Sequence, residues 1–182
     1  MRNATHELVG VSLAIMAGRA FEAGAPETVG LAAAALLGSR LPDVDQRGAR
    51  VHRRTGLERG SVLVCAVGAV LRLPFVAFAV LASHRAVTHS ALACAAAAAL
   101  AAFVAAPLGT SVALVVSGGV AIGYTAHVAA DACTPGGVRL WAPASRRRVW
   151  LLPAGARIRT GSWGEAALAA VAVAAPVLVL LA

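Results

Sequence analysis

"ALACAAAAALAAFVAAPLGTSVALVVSGGVAIGYTAHVAADA" (91–132) contains no arginine, lysine or glutamate, and its one carboxylate, Asp131, stands at the far end. Pro107-Leu108-Gly109 divides it into two apolar halves, 91–107 and 110–130. At 1.5 Å per residue, each half is about long enough to cross a hydrocarbon core of roughly 30 Å as a helix. The stretch therefore predicts a membrane helix that leaves one face and a second that returns. Residues 166–182 form another charge-free segment of similar length, expected to be a C-terminal transmembrane anchor.

Composition agrees. The chain has 182 residues, 59% hydrophobic and 13% charged, with mean hydropathy +0.79, well outside the soluble range. Alanine inflates these figures, so the segments carry the argument. The expected fold is all-α, a multi-pass integral membrane helical bundle. Its expected division is a membrane-embedded domain over 1–165 and the anchor over 166–182.

Upstream, "THELVGVSLAIMAGRAF" (5–21) predicts a helix, with Thr5 as N-cap and Glu7 in its first turn. It resembles a secretory leader, but Glu7 and Arg19 bracket its apolar run poorly, so retention is expected. Gly24 and Pro26 mark a turn, and 29–40 predicts a second helix running back, stopped by Pro42. Residues 61–82 have the length of a span but carry Arg72 and Pro74 at the centre, which favours a bent or re-entrant segment.

All sixteen basic residues are arginine, so arginine content alone does not indicate nucleic acid, and no specific nucleic-acid partner is expected. Position is more informative. Six arginines fall in 40–59 and six in 139–159, and such loops stay cytoplasmic. The second loop is followed by Trp163 and contains Trp141 and Trp150, the makeup of an interfacial belt. Cys65, Cys94 and Cys133 are scattered, with no C-x-x-C pairing, and read as packing residues.

The remaining polar residues collect in four clusters: His6 and Glu7; Asp43 and Asp45; His84, Arg85, Thr88, His89 and Ser90; His127 and Asp131. His127 and Asp131 are four apart, on one helical face, a spacing that suits two ligands of one ion or a ligand and its orienting partner. A capped structural histidine has the same spacing. His84 and His89 would be about 140° out of phase on one helix. They can meet only if the chain is non-helical before Thr88, with Thr88 capping a helix from His89. Asp43 and Asp45 point to opposite sides of an extended segment.

Parity links the clusters. If 5–21 leaves and 29–40 returns, His6 and Asp43 share a face, and by the same reasoning so do His89 and His127. With 61–82 not crossing, four of the five histidines and all three aspartates meet on the arginine-rich face. Mixed imidazole and carboxylate donors suit one or two divalent ions, zinc first, with manganese or iron as alternatives. Seven donors (His6, Asp43, Asp45, His84, His89, His127, Asp131) exceed one tetrahedral shell, which points to a two-metal site.

The ordered blocks "THELVG" (5–10), "LPDVD" (41–45), "HRAVTHS" (84–90) and "GYTAHVAADACTPGGVRLWAP" (123–143) resemble the signature of the YdjM-like membrane-bound metal-dependent hydrolases. That family includes inner-membrane proteins regulated by LexA. The resemblance covers residues 1 to about 153 and implies a multi-pass helical protein with metal-dependent hydrolase activity. It marks the seven donors together with Arg85, Thr88, Ser90 and Thr134. Relatives often carry serine where Ala126 stands here.

The leading expectation is thus a hydrolase of the inner membrane, its site facing the cytoplasm, acting on an ester or phosphoester of an anionic small molecule or lipid. Arg85, Thr88 and Ser90 would bind or polarise substrate, with Glu7 as a further acid or base. The alternative is a non-enzymatic metal-binding or metal- or proton-transporting membrane protein, which would place polar groups deep in the spans. Oligomeric state has no signature in the chain.

Overall fold

The computed structural model describes residues 1–43 and 87–181. Within them lie five α-helices: α1 (Asn3–Ala20), α2 (Ala25–Gly38), α3 (Ala91–Ala105), α4 (Thr110–Ala132) and α5 (Trp163–Leu181). The expectations for 61–82, and for Asp45, His84 and Arg85, lie outside the described residues.

The charge-free stretch forms the expected hairpin. α3 tightens into a 3-10 turn over Ala106–Leu108, and Gly109, at φ 107°, supplies the left-handed residue that reverses the chain into α4. Ala91–Leu108, Thr110–Ala132 and Trp163–Leu181 are long and apolar enough to cross a membrane. Their 18, 23 and 19 residues correspond to roughly 27, 35 and 28 Å of helix. Phe103, Leu114 and Leu178 project from these helices largely exposed, as lipid-facing side chains do. Together they make a multi-pass all-α bundle. The 14 residues of α2, about 21 Å, stop short of a full span.

Small residues hold α2 and α4 together. A Cβ at Gly123 would collide with the carbonyl of Ala35, and one at Gly38 with that of Val120. The two backbones therefore touch, and van der Waals contact replaces the hydrophobic force that lipid cannot supply. Around this seam Ala34, Ala93, Ala97, Val120, Tyr124 and Val128 form the buried core.

Each of the five described helices brings one end to a common side. The starts of α1, α3 and α5 and the ends of α2 and α4 gather there. Leu151 N–H donates to Ala132 O at the foot of α4, and Ala91 N–H, at the head of α3, donates to Leu140 O. α5 packs on α1, and its buried Glu165 accepts from the Arg2 N–H and the Thr5 hydroxyl.

Two capping expectations are corrected. α1 begins at Asn3 with Arg2 as N-cap and no capping side chain of its own, so Thr5 lies inside the helix and its hydroxyl serves Glu165 instead. Glu7 is beyond the first turn. In α3 the cap is Ser90, not Thr88: its Oγ accepts from Ala93 N–H at 3.1 Å. The helix thus starts two residues later than a Thr88 cap requires.

Candidate metal centre

α4 supplies the base of the site. His127 and Asp131, one turn apart, project from the same face near its C-terminal end, Nε2 to Oδ2 being 3.7 Å. The α2–α4 seam brings the first residue after α2, Ser39, over His127, whose Nδ1 lies 2.7 Å from the Ser39 carbonyl oxygen. A carbonyl can only accept, so Nδ1 carries the proton and the bare Nε2 faces the cluster. Nε2 is buried with no hydrogen-bond partner among the described residues.

α1 enters over the same point. The His6 ring stacks on that of His127, centroids 3.8 Å apart and planes within 13°, and its Nε2 lies 3.3 Å from Asp131 Oδ1. From the segment before α3, His89 Nε2 approaches Asp131 Oδ2 at 3.3 Å and Asp43 Oδ1 at 3.6 Å. Thr88 Oγ1 is 3.1 Å from His89 Nδ1; with the hydroxyl accepting, that ring too presents a bare Nε2. Asp43 closes the set, its Oδ1 3.8 Å from His127 Nε2.

Two groups result, His6 with His127 and Asp131, and Asp43 with His89 and His127, each with donor atoms within 4.8 Å of one another. Bonds of about 2.0–2.2 Å place tetrahedral donors roughly 3.3–3.6 Å apart. The His–Asp separations of 3.3–3.8 Å match that spacing better than the usual 2.9–3.0 Å or so of an N–H···O bond. Two donor groups that share His127, with two buried ring nitrogens, His127 Nε2 and His6 Nδ1, unpartnered among the described residues, fit a divalent ion.

The sequence-predicted residues divide as follows. His6, Asp43, His89, His127 and Asp131 come together. Asp45, His84 and Arg85 are outside the described residues. Thr88 orients His89, and its carbonyl accepts from the Tyr124 hydroxyl. Ser90 is fully buried, its Oγ donating to Val87 O and accepting from Ala93 N–H, so a substrate-binding role is replaced by a cap. Glu7 belongs to neither donor group; it pairs with Arg40 at 3.0 Å. Thr134 donates to the Asp131 carbonyl and finishes α4. Burial pushes the Cys133 thiol up, and Cys133 belongs to neither donor group.

Two contributors have no counterpart in the expectations. Ser39 acts through its backbone, which leaves no trace in side-chain spacing. Glu165 holds the start of α1, one residue from His6, and also accepts from Gly161 N–H at 2.6 Å. It is the one acid after Asp131, and that isolation at the head of an apolar helix was the available signal.

A bundle of apolar helices whose polar groups converge at one end in a histidine–aspartate cluster defines a multi-pass membrane protein with a candidate metal centre. The family model described as YdjM inner membrane protein matches residues 1–182, the whole chain, and the chain belongs to that family. The comparisons with curated proteins and with solved structures returned no match.

Proposed function

We propose that this protein is a membrane-bound metal-dependent hydrolase whose ion or ions, zinc first, are held by His6, Asp43, His89, His127 and Asp131. The observation that carries the reading is the bare, buried Nε2 of His127 facing two carboxylates and two further imidazoles. A purely structural His–Asp pair needs one partner for each ring; here three rings share two acids. An ion held there supplies Lewis acidity toward a phosphoryl or acyl oxygen and toward water.

The chain's own residues do the rest. Ser39 O and Thr88 Oγ1 lock the rings of His127 and His89 in ligating orientation. Asp43 and Asp131 are the more open members of the set, at 14% and 22% exposure. An ester or phosphoester at the bilayer surface, lipid-derived or small and anionic, is the class that fits a site at the end of the spans. The arginine-rich stretches 40–59 and 139–159 of the sequence support a cytoplasmic orientation of the site. The transport alternative asks for polar groups along the spans, and between Ala91 and Gly123 the described polar side chains are cysteine, serine and threonine alone.

The test is metal analysis of purified protein followed by assay on phosphodiester, phosphomonoester and acyl ester panels. Metal in stoichiometric amount with turnover that His127→Ala abolishes is expected. Metal without turnover removes the hydrolase reading, and uptake of that metal by proteoliposomes would replace it with transport. Cysteines placed at 46 and at the exposed position 144 should label from the cytoplasmic side.

A further inference from the structure

The segment between α4 and α5 has a composition that the metal centre does not use. From Thr134 to Ser162 it carries six arginines and no acidic residue, together with Trp141 and Trp150, and Trp163 opens α5 directly after it. It is also ordered. Leu151 N–H donates to Ala132 O and Ile158 N–H to Cys133 O, and Val138 and Val149 exchange both backbone bonds. The loop is thereby fastened to the foot of α4, one and two residues beyond Asp131.

At its centre stands Trp150. The indole Nε1–H donates to Pro135 O, and the ring lies against Gly137, whose φ of 59° and lack of a Cβ make room for it. The Arg157 guanidinium sits over the ring, 4.6 Å from its centroid, with Nε donating to Leu152 O. Arg148 donates from Nη1 to Gly136 O at 2.6 Å. Each guanidinium spends one N–H on a carbonyl and keeps the others for an outside acceptor. Arg146, Arg147 and Arg159 are exposed beside them, as are Trp141, Leu151 and Trp163.

We infer that this loop is a binding surface for the phosphate headgroups of anionic membrane phospholipids, centred on Arg148 and Arg157 flanking Trp150. Six arginines in a loop without an acidic residue of its own favour an anion, and guanidinium geometry suits phosphate oxygens. Exposed tryptophans at the ends of the spans Ala132 and Trp163 mark headgroup depth. A topogenic signal needs only charge; a guanidinium stacked on a hydrogen-bonded indole is built geometry. Nucleic acid would use the same arginines but gives no reason for Leu151, Trp141 and Trp163 to stand bare at membrane depth.

The experiment is lipid-selective quenching of Trp150 in the full-length W141F/W163F protein, reconstituted in vesicles. Brominated phosphatidylglycerol is compared with brominated phosphatidylcholine at equal mole fraction and moderate salt. Phosphatidylglycerol should quench more strongly by roughly twofold or more, and R148Q/R157Q should bring the two lipids level. Because those arginines also hold the loop, R146Q/R147Q/R159Q, all exposed, serves as a second variant and should weaken the preference. Equal quenching in the parent protein overturns the inference, whether or not an added DNA oligonucleotide binds the detergent-solubilised protein; such binding would assign the arginines to nucleic acid. A preference unchanged in both variants overturns it too. The measurement needs neither bound metal nor turnover, so its failure is separate from that of the hydrolase reading.

Discussion

His127 donates from Nδ1 to the backbone carbonyl of Ser39, 2.7 Å away and 88 positions earlier in the chain. This bond fixes the tautomer of the central ring and turns its bare nitrogen toward Asp43 and Asp131. It exists because Gly38 and Gly123 let α2 and α4 touch.

Replacing a donor therefore differs from disturbing its support. His127→Ala removes the nitrogen shared by both donor groups, and bound zinc measured by elemental analysis should fall below stoichiometry. Chelator titration should show a larger loss than the 10–100-fold or so typical of outer supports. An ion held as proposed would stabilise the parent protein by mass action, about 2.7 kcal/mol at a hundred times Kd. Stripping it should lower the thermal midpoint of the parent and leave that of His127→Ala unchanged.

The seam offers the complementary case. Gly123→Val forces a branched side chain into the Ala35 backbone, an overpacking that costs about 1–3 kcal/mol. Ser39 O then moves off His127. Zinc affinity should drop by roughly ten- to a hundredfold although every donor is intact. Retained affinity with lowered stability would show that the Ser39 bond is dispensable.

Ser90 and Thr88 separate by role. Ser90→Ala loses the α3 cap and should cost about 1 kcal/mol while sparing metal affinity, and Ser90→Asn should restore the midpoint. Thr88→Val removes the hydroxyl beside His89 Nδ1 and should weaken zinc by about tenfold with a smaller change in stability. Thermal unfolding and metal titration on the same samples distinguish them.

Glu165→Ala orphans the N–H groups of Arg2 and Gly161 and the Thr5 hydroxyl. The start of α1 should loosen and expose His6, which is 2% exposed in the intact protein. Carbethoxylation mapped by mass spectrometry should show His6 becoming reactive while His127 stays protected. Equal protection of His6 in parent and variant would limit Glu165 to anchoring α5.

Much of this architecture is legible in the residues. Charge-free length is a local property, so the α3–α4 hairpin and α5 follow from the apolar runs. The i,i+4 placement of His127 and Asp131 follows from helical pitch. A short turn between α1 and α2 puts His6 and Asp43 at one end, and the turn between α3 and α4 does the same for His89 and His127; joining the two pairs rested on 61–82 not crossing, and that segment lies outside the described residues. Capping was misjudged at both predicted starts. Thr5, Thr88 and Ser90 are all competent caps, and the choice depends on where the backbone turns and on what a distant helix, through Glu165, offers the same N–H groups.

What the amino-acid order determined was which chemistry arrives at which end of the bundle: apolar length sets the spans, and their direction carries the histidines and aspartates along. What only the tertiary structure decided was the sub-ångström business of the site. The lock on His127 is a main-chain carbonyl with no side-chain signature, and its position depends on how closely two glycine-lined backbones approach. That distance is a property of packing between segments far apart in the chain, and no local pattern encodes it.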